Sequence, residues 1–266
     1  MDRFIAFVWK ANRPDQQRQV SRWHTELKAK NPAWALALDG EGLLVAVLPD
    51  GSGDLPVCTL ATDAGIVIGT IFSASDAERG RLKHLPAEST KKIVASQGKE
   101  LIRSYWGSFV SIVRDAASDA VHIVRDPCGA SACYHARAQG ISLLCSFADD
   151  IADLSRMNWS IDWGAIQSFL VSNYLINPRT GLRELTEVMP GQRITLRPGL
   201  PVETQYLWSP IELAQTVKQQ SFEQACEAFR AVAERCVSSW SQAAGHIVVR
   251  LSGGLDSSIV AALARA

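Results

Sequence analysis

The sequence predicts a chain in two parts. An α+β, strand-rich segment fills residues 1–208, and residues 209–266 open an α/β unit built on a parallel sheet. Three observations carry this reading. Short apolar runs bounded by Gly, Pro, Asp and Ser recur from Phe4 to Arg197, the pattern of strands joined by turns. A stretch from Gly199 to Pro210, with two prolines and two aromatics, then reads as a linker. After it come a long amphipathic helix, an apolar strand at His246–Leu251 and a glycine-rich loop that opens another helix. An apolar strand flanked by helices suggests a parallel sheet buried on both faces.

The elements follow in order. Residues 3–9 read as a buried strand, and Asp15–Lys30 as a helix with Val20, Trp23 and Leu27 at helical spacing. The runs 34–38 and 43–48 flank Asp39-Gly40-Glu41-Gly42 and predict a hairpin. Pro49–Gly53 is a turn and Gly65–Phe72 a strand. Thr90–Tyr105 predicts one amphipathic helix despite Gly98. Four strands in a meander are expected at 108–114, 120–125, 132–137 and 141–147. Asp162 caps a helix that runs to Tyr174, and Gln192–Arg197 is a further strand. Ser221 opens the long helix to Gln242, with Gln224 at the capping-box spacing.

Composition narrows the function. Of 266 residues, 47% are hydrophobic and 20% charged, with 27 basic against 27 acidic side chains. That is the mix of a soluble globular protein, with no basic block to suit nucleic acid. No apolar run approaches the roughly 18–20 residues of a membrane span, and the N-terminus lacks a signal-peptide pattern. The expectation is a cytoplasmic protein with reduced cysteines. Cys128 and Cys133, with His135 nearby, lack zinc-site spacing. The five scattered histidines read as core or surface residues, and Gly51-Ser52-Gly53 reads as a turn.

The stretch that carries chemistry is Ser252, Gly253, Gly254, Leu255, Asp256, Ser257 and Ser258. Paired glycines allow positive φ and close approach of a ligand. Successive N–H groups and a helix N-terminus form an anion site, and three serine hydroxyls add donors. No Walker A pattern occurs. Asp256 would repel a bare phosphate, so it implies either Mg2+ between carboxylate and phosphates or a capping role. The alternative is a tight turn with an N-cap and nothing more.

This loop resembles the pyrophosphate-binding loop of ATP pyrophosphatases, and its combination with the upstream segment resembles the asparagine synthetase family. Trp106–Asp115 is similar to that family's Gly-Met-Phe-Ala-Phe-Ala strand and its Trp-Asp ending. Val124-Arg125-Asp126-Pro127-Cys128-Gly129 through Cys133-Tyr134 is similar to its Arg-Asp-x-x-Gly stretch. Pro190-Gly191 matches its turn before the last strand, and Tyr206-Leu207-Trp208 its Tyr-Trp pair. The resemblance implies a glutaminase-like αββα sandwich of the N-terminal-nucleophile type over 1–208. It also implies the truncated start of an ATP-dependent synthetase domain over 209–266. Arg125 and Asp126 are expected to form a structural ion pair.

The departures matter as much. The family's glutaminase uses an N-terminal cysteine thiol, where this chain has Asp2 behind a retained Met1. Its Arg-Gly-Pro-Asp is missing, its Asn-Gly-Glu appears as Ile68-Gly69-Thr70, and its substrate-amine Asp would fall near Ser89-Thr90. The first domain is therefore expected to be catalytically silent, as in β-lactam synthetases and lasso-peptide macrocyclases.

The resemblance implies an ATP-dependent ligase that adenylates a carboxylate and lets an amine attack, releasing AMP and pyrophosphate. ATP and Mg2+ are the expected cofactors, held by residues 252–258 with Asp256 on the metal. Expected partners are a small-molecule or peptide carboxylate and amine, with a homodimer possible and neither nucleic acid nor membrane. A lasso-peptide-type macrocyclase is the favoured subgroup. Asparagine synthesis from aspartate is the alternative, and a non-catalytic truncated fragment the third.

Overall fold

The structure is a computed structural model, and it describes residues 3–49, 55–75, 80–172, 177–216, 220–244 and 246–265. Met1 and Asp2, most of the turn predicted at Pro49–Gly53, the predicted helix end at Asn173–Tyr174, and Ala266 lie outside the described residues. The chain forms two compact units, Met1–Ile71 with Lys83–Trp208, and Phe72–Leu82 with Ser209–Ala266.

The first unit is built on two sheets. Sheet A runs in the order β11 (Thr186–Glu187), β9 (Tyr134–Ala138), β10 (Ile141–Cys145), β1 (Arg3–Val8), β3 (Leu43–Leu48), β2 (Ala35–Gly40). Sheet B runs β13 (Glu203–Tyr206), β12 (Gln192–Leu196), β8 (Ala120–Arg125), β7 (Tyr105–Asp115), β5 (Gly65–Ser73), β4 (Val57–Leu60), β6 (His84–Leu85). The period-2 alternation of a strand decides what each face meets. Phe4, Ala6 and Val8 of β1 point between the sheets, against a layer that includes Val45, Ile68, Val110, Ile112, Ile123 and Ile194. Ile5 and Phe7 point outward onto Val20, Trp23 and Leu27 of α1 (Pro14–Lys30) and Ile151 and Leu154 of α4 (Asp149–Ser155). Phe7 and Trp23 stack with ring centroids 5.7 Å apart.

A strand buried on both faces must be apolar throughout, which is why Phe4–Trp9 carries no alternation. On sheet B, α2 (Ala87–Ala95) and α3 (Lys99–Ser104) pack against β7, with Ile93 and Leu101 fully buried. The result is a helix–sheet–sheet–helix layering of the first unit.

Several elements differ from expectation, each for a physical reason. The four strands from 105 to 145 are two hairpins in different sheets. β7 pairs with β8 in sheet B, and β9 pairs with β10 in sheet A. The segment Asp126–Cys133 crosses between the layers, and an apolar face does not record which sheet it joins. The helix expected at Thr90–Tyr105 breaks at Gln97 and Gly98, both at positive φ (53° and 85°). The expected linker contains β13, which pairs with β12 from Glu203 to Tyr206. That strand is exposed along its whole length, so it carries no apolar signature. The helix α5 (Trp163–Val171) starts where predicted: Asp162 accepts from the Ala165 N–H at 3.0 Å. Arg179 lies 2.8 Å from the Asp162 carboxylate and holds its pKa below the ordinary value.

The second unit is helical among the described residues, with α6 (Pro210–Gln215), α7 (Phe222–Ala244) and α8 (Leu255–Arg265). The capping box forms: Gln224 N–H donates to Ser221 Oγ, and Ser221 N–H to Gln224 Oε1, both at 3.2 Å. Phe72 meets the Trp240 ring edge-on at 5.1 Å, and Arg235 donates to the Ala74 carbonyl at 3.2 Å, so residues from 72 onward group with α7.

The strand expected at His246–Leu251 is not part of a sheet. Among the described residues it has no partner strand, and Val248 is 97% exposed. An apolar run is a strand only where another strand accepts its hydrogen bonds, so the parallel sheet expected there is absent from the described structure. No helix among the described residues is long and apolar enough to cross a membrane.

Candidate functional site

Two places bear on function, and each is best built from its backbone. The first is the loop before α8. Gly253 has φ +80°, a conformation that a side chain would strain, and Leu255 begins the helix. The first-turn N–H groups of α8 are those a helix leaves without an internal acceptor. The serines tie the loop together. Ser252 Oγ and Ser257 Oγ lie 3.1 Å apart, and the Gly254 N–H points to Ser252 Oγ at 3.4 Å. Ser258 Oγ donates to the Gly254 carbonyl at 2.9 Å.

Asp256 lies in the first turn, and the loop is exposed apart from a half-buried Ser257. The seven residues Ser252 to Ser258 therefore form one continuous exposed turn at a helix start, open to a ligand. Among the described residues no three His, Cys, Asp or Glu side chains gather as metal ligands. A Mg2+ at Asp256 fits only with phosphate and water oxygens completing its shell, which is the ordinary habit of that ion.

The second place is the end of the sandwich where the resemblance sets a glutaminase site. Ile68 is buried in the layer between the sheets, and the Gly69 N–H donates to the Pro56 carbonyl at 2.6 Å. Thr90 is buried, and its Oγ1 accepts from the Ala61 N–H at 3.0 Å. These side chains are committed to packing and to backbone hydrogen bonds, and neither Ile68 nor Thr70 carries a carboxamide or carboxylate. Asp2, the residue in the nucleophile's place, lies outside the described residues. Behind it, Arg3 grips Asp150 through two hydrogen bonds of 2.6 and 2.9 Å and lies over the Phe147 ring at 5.3 Å.

The pair Arg125 and Asp126 does not form the expected mutual ion pair. The Arg125 guanidinium is buried and faces Glu187 at 2.7 Å. It also donates to the carbonyls of Ser131 (2.7 Å), Val188 (2.6 Å) and Gly129 (2.7 Å). Asp126 accepts the N–H groups of Phe109, Cys128 and Gly129 at 3.1, 2.8 and 2.8 Å. Burial pushes the Asp126 carboxyl above its usual range, and those three N–H groups pull it back. The two residues close the crossing between sheets, a structural role. The partner Glu187, 62 residues away, has no local signal in the sequence.

All six cysteines are free thiols, and burial pushes Cys133 up to about 12, so it is inert at neutral pH. His122 and His135 are buried, and burial lowers both to about 4.

Residues 86–207 match the family described as "Glutamine amidotransferase domain". Proteins from Mycobacterium bovis and Mycobacterium tuberculosis, named "Putative asparagine synthetase" (glutamine-hydrolyzing), are 27% identical to this chain over 172 residues. That match spans 63% of this chain and 26% of theirs, about a quarter of their length. Among solved structures, an allosteric regulatory enzyme of purine biosynthesis aligns with a TM-score of 0.45 and the glutamine phosphoribosylpyrophosphate amidotransferase of B. subtilis with 0.44. Each is 9% identical and covers 78% of this chain and 49% of its own. Residues 86–207, which run from α2 through both hairpins to β13, are thus glutamine amidotransferase-like, and the chain's sequence similarity is to the asparagine synthetase family.

Proposed function

We propose that this chain is the front part of an ATP-dependent amide-forming ligase, a non-hydrolysing amidotransferase-like unit joined to the start of a nucleotide-binding unit. One observation carries the reading: a glutamine amidotransferase-like segment is followed by Ser252-Gly253-Gly254-Leu255-Asp256-Ser257 at a helix N-terminus. Carboxylate and amine do not condense readily in water. Adenylation gives the carboxylate a good leaving group, with pyrophosphate as the first product and AMP as the second. Residues 252–258 would hold the phosphates through backbone N–H groups and hydroxyls. Mg2+ at Asp256 would supply charge neutralisation as pyrophosphate departs.

The amine would be one already carried by the substrate, a peptide or small molecule, since Asp2, Ile68 and Thr70 offer no glutaminase chemistry. A macrocyclase of the lasso-peptide type fits that requirement, acting in the cytoplasm, with a homodimer as one assembly open to it. Asparagine synthesis from aspartate and free ammonia is the second reading; the mycobacterial relatives are named asparagine synthetases, though glutamine-hydrolyzing ones.

The test is ATP–pyrophosphate exchange by the longest natural form of the protein, with aspartate or candidate peptides as the carboxylate. Asp256→Ala is expected to lower exchange about 100-fold or more, the usual cost of losing one charge-stabilising group. Exchange retained by this variant would remove the proposed metal and pyrophosphate role. Aspartate-dependent AMP release supported by ammonia, and not by peptides, would select the second reading. A separate expectation concerns the first unit. Incubated with glutamine, the protein should release no glutamate above the uncatalysed background, and measurable turnover in a coupled dehydrogenase assay would show a nucleophile that this reading lacks.

A further inference from the structure

Three side chains stand in register on the outer face of sheet B. His122 of β8 lies opposite Thr195 of β12, and Thr195 lies opposite Glu203 of β13. His122 is fully buried, and one ring nitrogen, Nδ1, is 3.0 Å from Thr195 Oγ1. The other, Nε2, is buried with no hydrogen-bond partner. The charged groups around the ring are Arg193 of β12, Arg197 just after it, Asp115 at the end of β7 and Glu203 of β13. Both arginines are turned to β13. Arg193 donates to Gln205 Oε1 and Arg197 to Glu203 Oε1, each at 2.6 Å. β13 is the sheet's edge strand, exposed throughout, and leads to Trp208 at the end of the first unit.

We propose that the row His122–Thr195–Glu203 is an acid-released latch that holds β12 and β13, the last strands of the first unit, onto β8. A neutral imidazole satisfies the buried site with one hydrogen bond to Thr195. A protonated one places an N–H at Nε2 where no acceptor waits, and adds a third positive charge beside Arg193 and Arg197. The charge is relieved by admitting water. β7 lies on one side of β8 within the sheet, so the side free to open is β12 with its exposed edge β13.

The sign follows from the imidazole's preference. Its pKa is about 4 in the closed state and about 6.5 when opened. The latch is therefore fully closed above pH 6.5 and loosens as pH falls toward 4. Between pH 7.5 and 5 the opening equilibrium should rise roughly 30-fold.

Residue-resolved hydrogen exchange, corrected for intrinsic rates, tests this at pH 7.5 and 5. Protection of Gln192–Tyr206 is expected to fall roughly 30-fold, while the β1–β3 pairing stays within about threefold. β9, which carries the second buried imidazole, His135, is read separately. An equal fall in both regions, or none in either, overturns the latch. In His122→Gln the selective fall should vanish, and its persistence would also overturn the proposal. Ring nitrogen shifts of the unaltered protein give an answer even if that variant does not fold. His122 should stay neutral until the β12–β13 amides open. Titration near pH 6.5 with those strands still closed would refute the latch.

Discussion

Arg125→Ala is expected to destabilise the first unit by about 3–5 kcal/mol, the cost of breaking a buried charge pair by removing one partner. The side chain is 5% exposed and makes four hydrogen bonds: to Glu187 and to the carbonyls of Ser131, Val188 and Gly129. Deleting it strands three carbonyls and a carboxylate at the one place where the chain passes from sheet B to sheet A. Each buried group left without a partner costs about 1–3 kcal/mol. Lysine keeps the charge but not the planar fork, so Arg125→Lys should recover only part of the loss. Urea unfolding followed by circular dichroism measures both. A shift below about 1 kcal/mol for Arg125→Ala would mean that water replaces the guanidinium cheaply and that the crossing does not depend on it.

That network marks the boundary of what the sequence could tell. Local chemistry was legible. The capping box at Ser221, the Asp162 cap and the near-continuous apolar runs of β1, β3, β5 and β8 are all set by residues within a few positions of one another. So was the loop at 252–258, whose turn and helix start follow from Gly253, Gly254 and Asp256. Long-range pairing was not legible. Two hairpins with similar apolar faces gave no sign that β9–β10 joins β1 in sheet A while β8 joins β12 in sheet B. β13 escaped notice because Glu203–Tyr206 are all exposed and it earns its place through Arg193–Gln205 and Arg197–Glu203 contacts. The run His246–Leu251 shows the converse: its residues announce a wish for burial, but strand formation needs a second backbone.

Gly107→Ala is the other change expected to have a large effect, because here two strands approach more closely than a methyl group allows. Gly107 of β7 has φ +142°, and a Cβ there would sit 2.2 Å from the Thr70 carbonyl oxygen and 3.2 Å from Ile71 Cα. The obstruction is backbone, so no side-chain rotation relieves it, and the strands must part. Gly65 of β5 makes the reciprocal approach, where a Cβ would sit 2.2 Å from the Ile112 carbonyl oxygen, so β5 and β7 are held close at both ends of their contact. A non-glycine residue in so sparse a backbone region costs about 1–3 kcal/mol before any clash. The sum is expected to exceed about 3 kcal/mol. Gly199→Ala separates the two contributions. Gly199 has φ +86° with nothing within 4 Å of a Cβ, so it bears conformational strain alone, at about 1–2 kcal/mol. Chemical denaturation of the two variants side by side should place Gly107→Ala well below Gly199→Ala in stability. Equal losses would show that β5 and β7 can move apart at little cost, and that their close approach is a consequence of having glycine there and not a constraint that requires it.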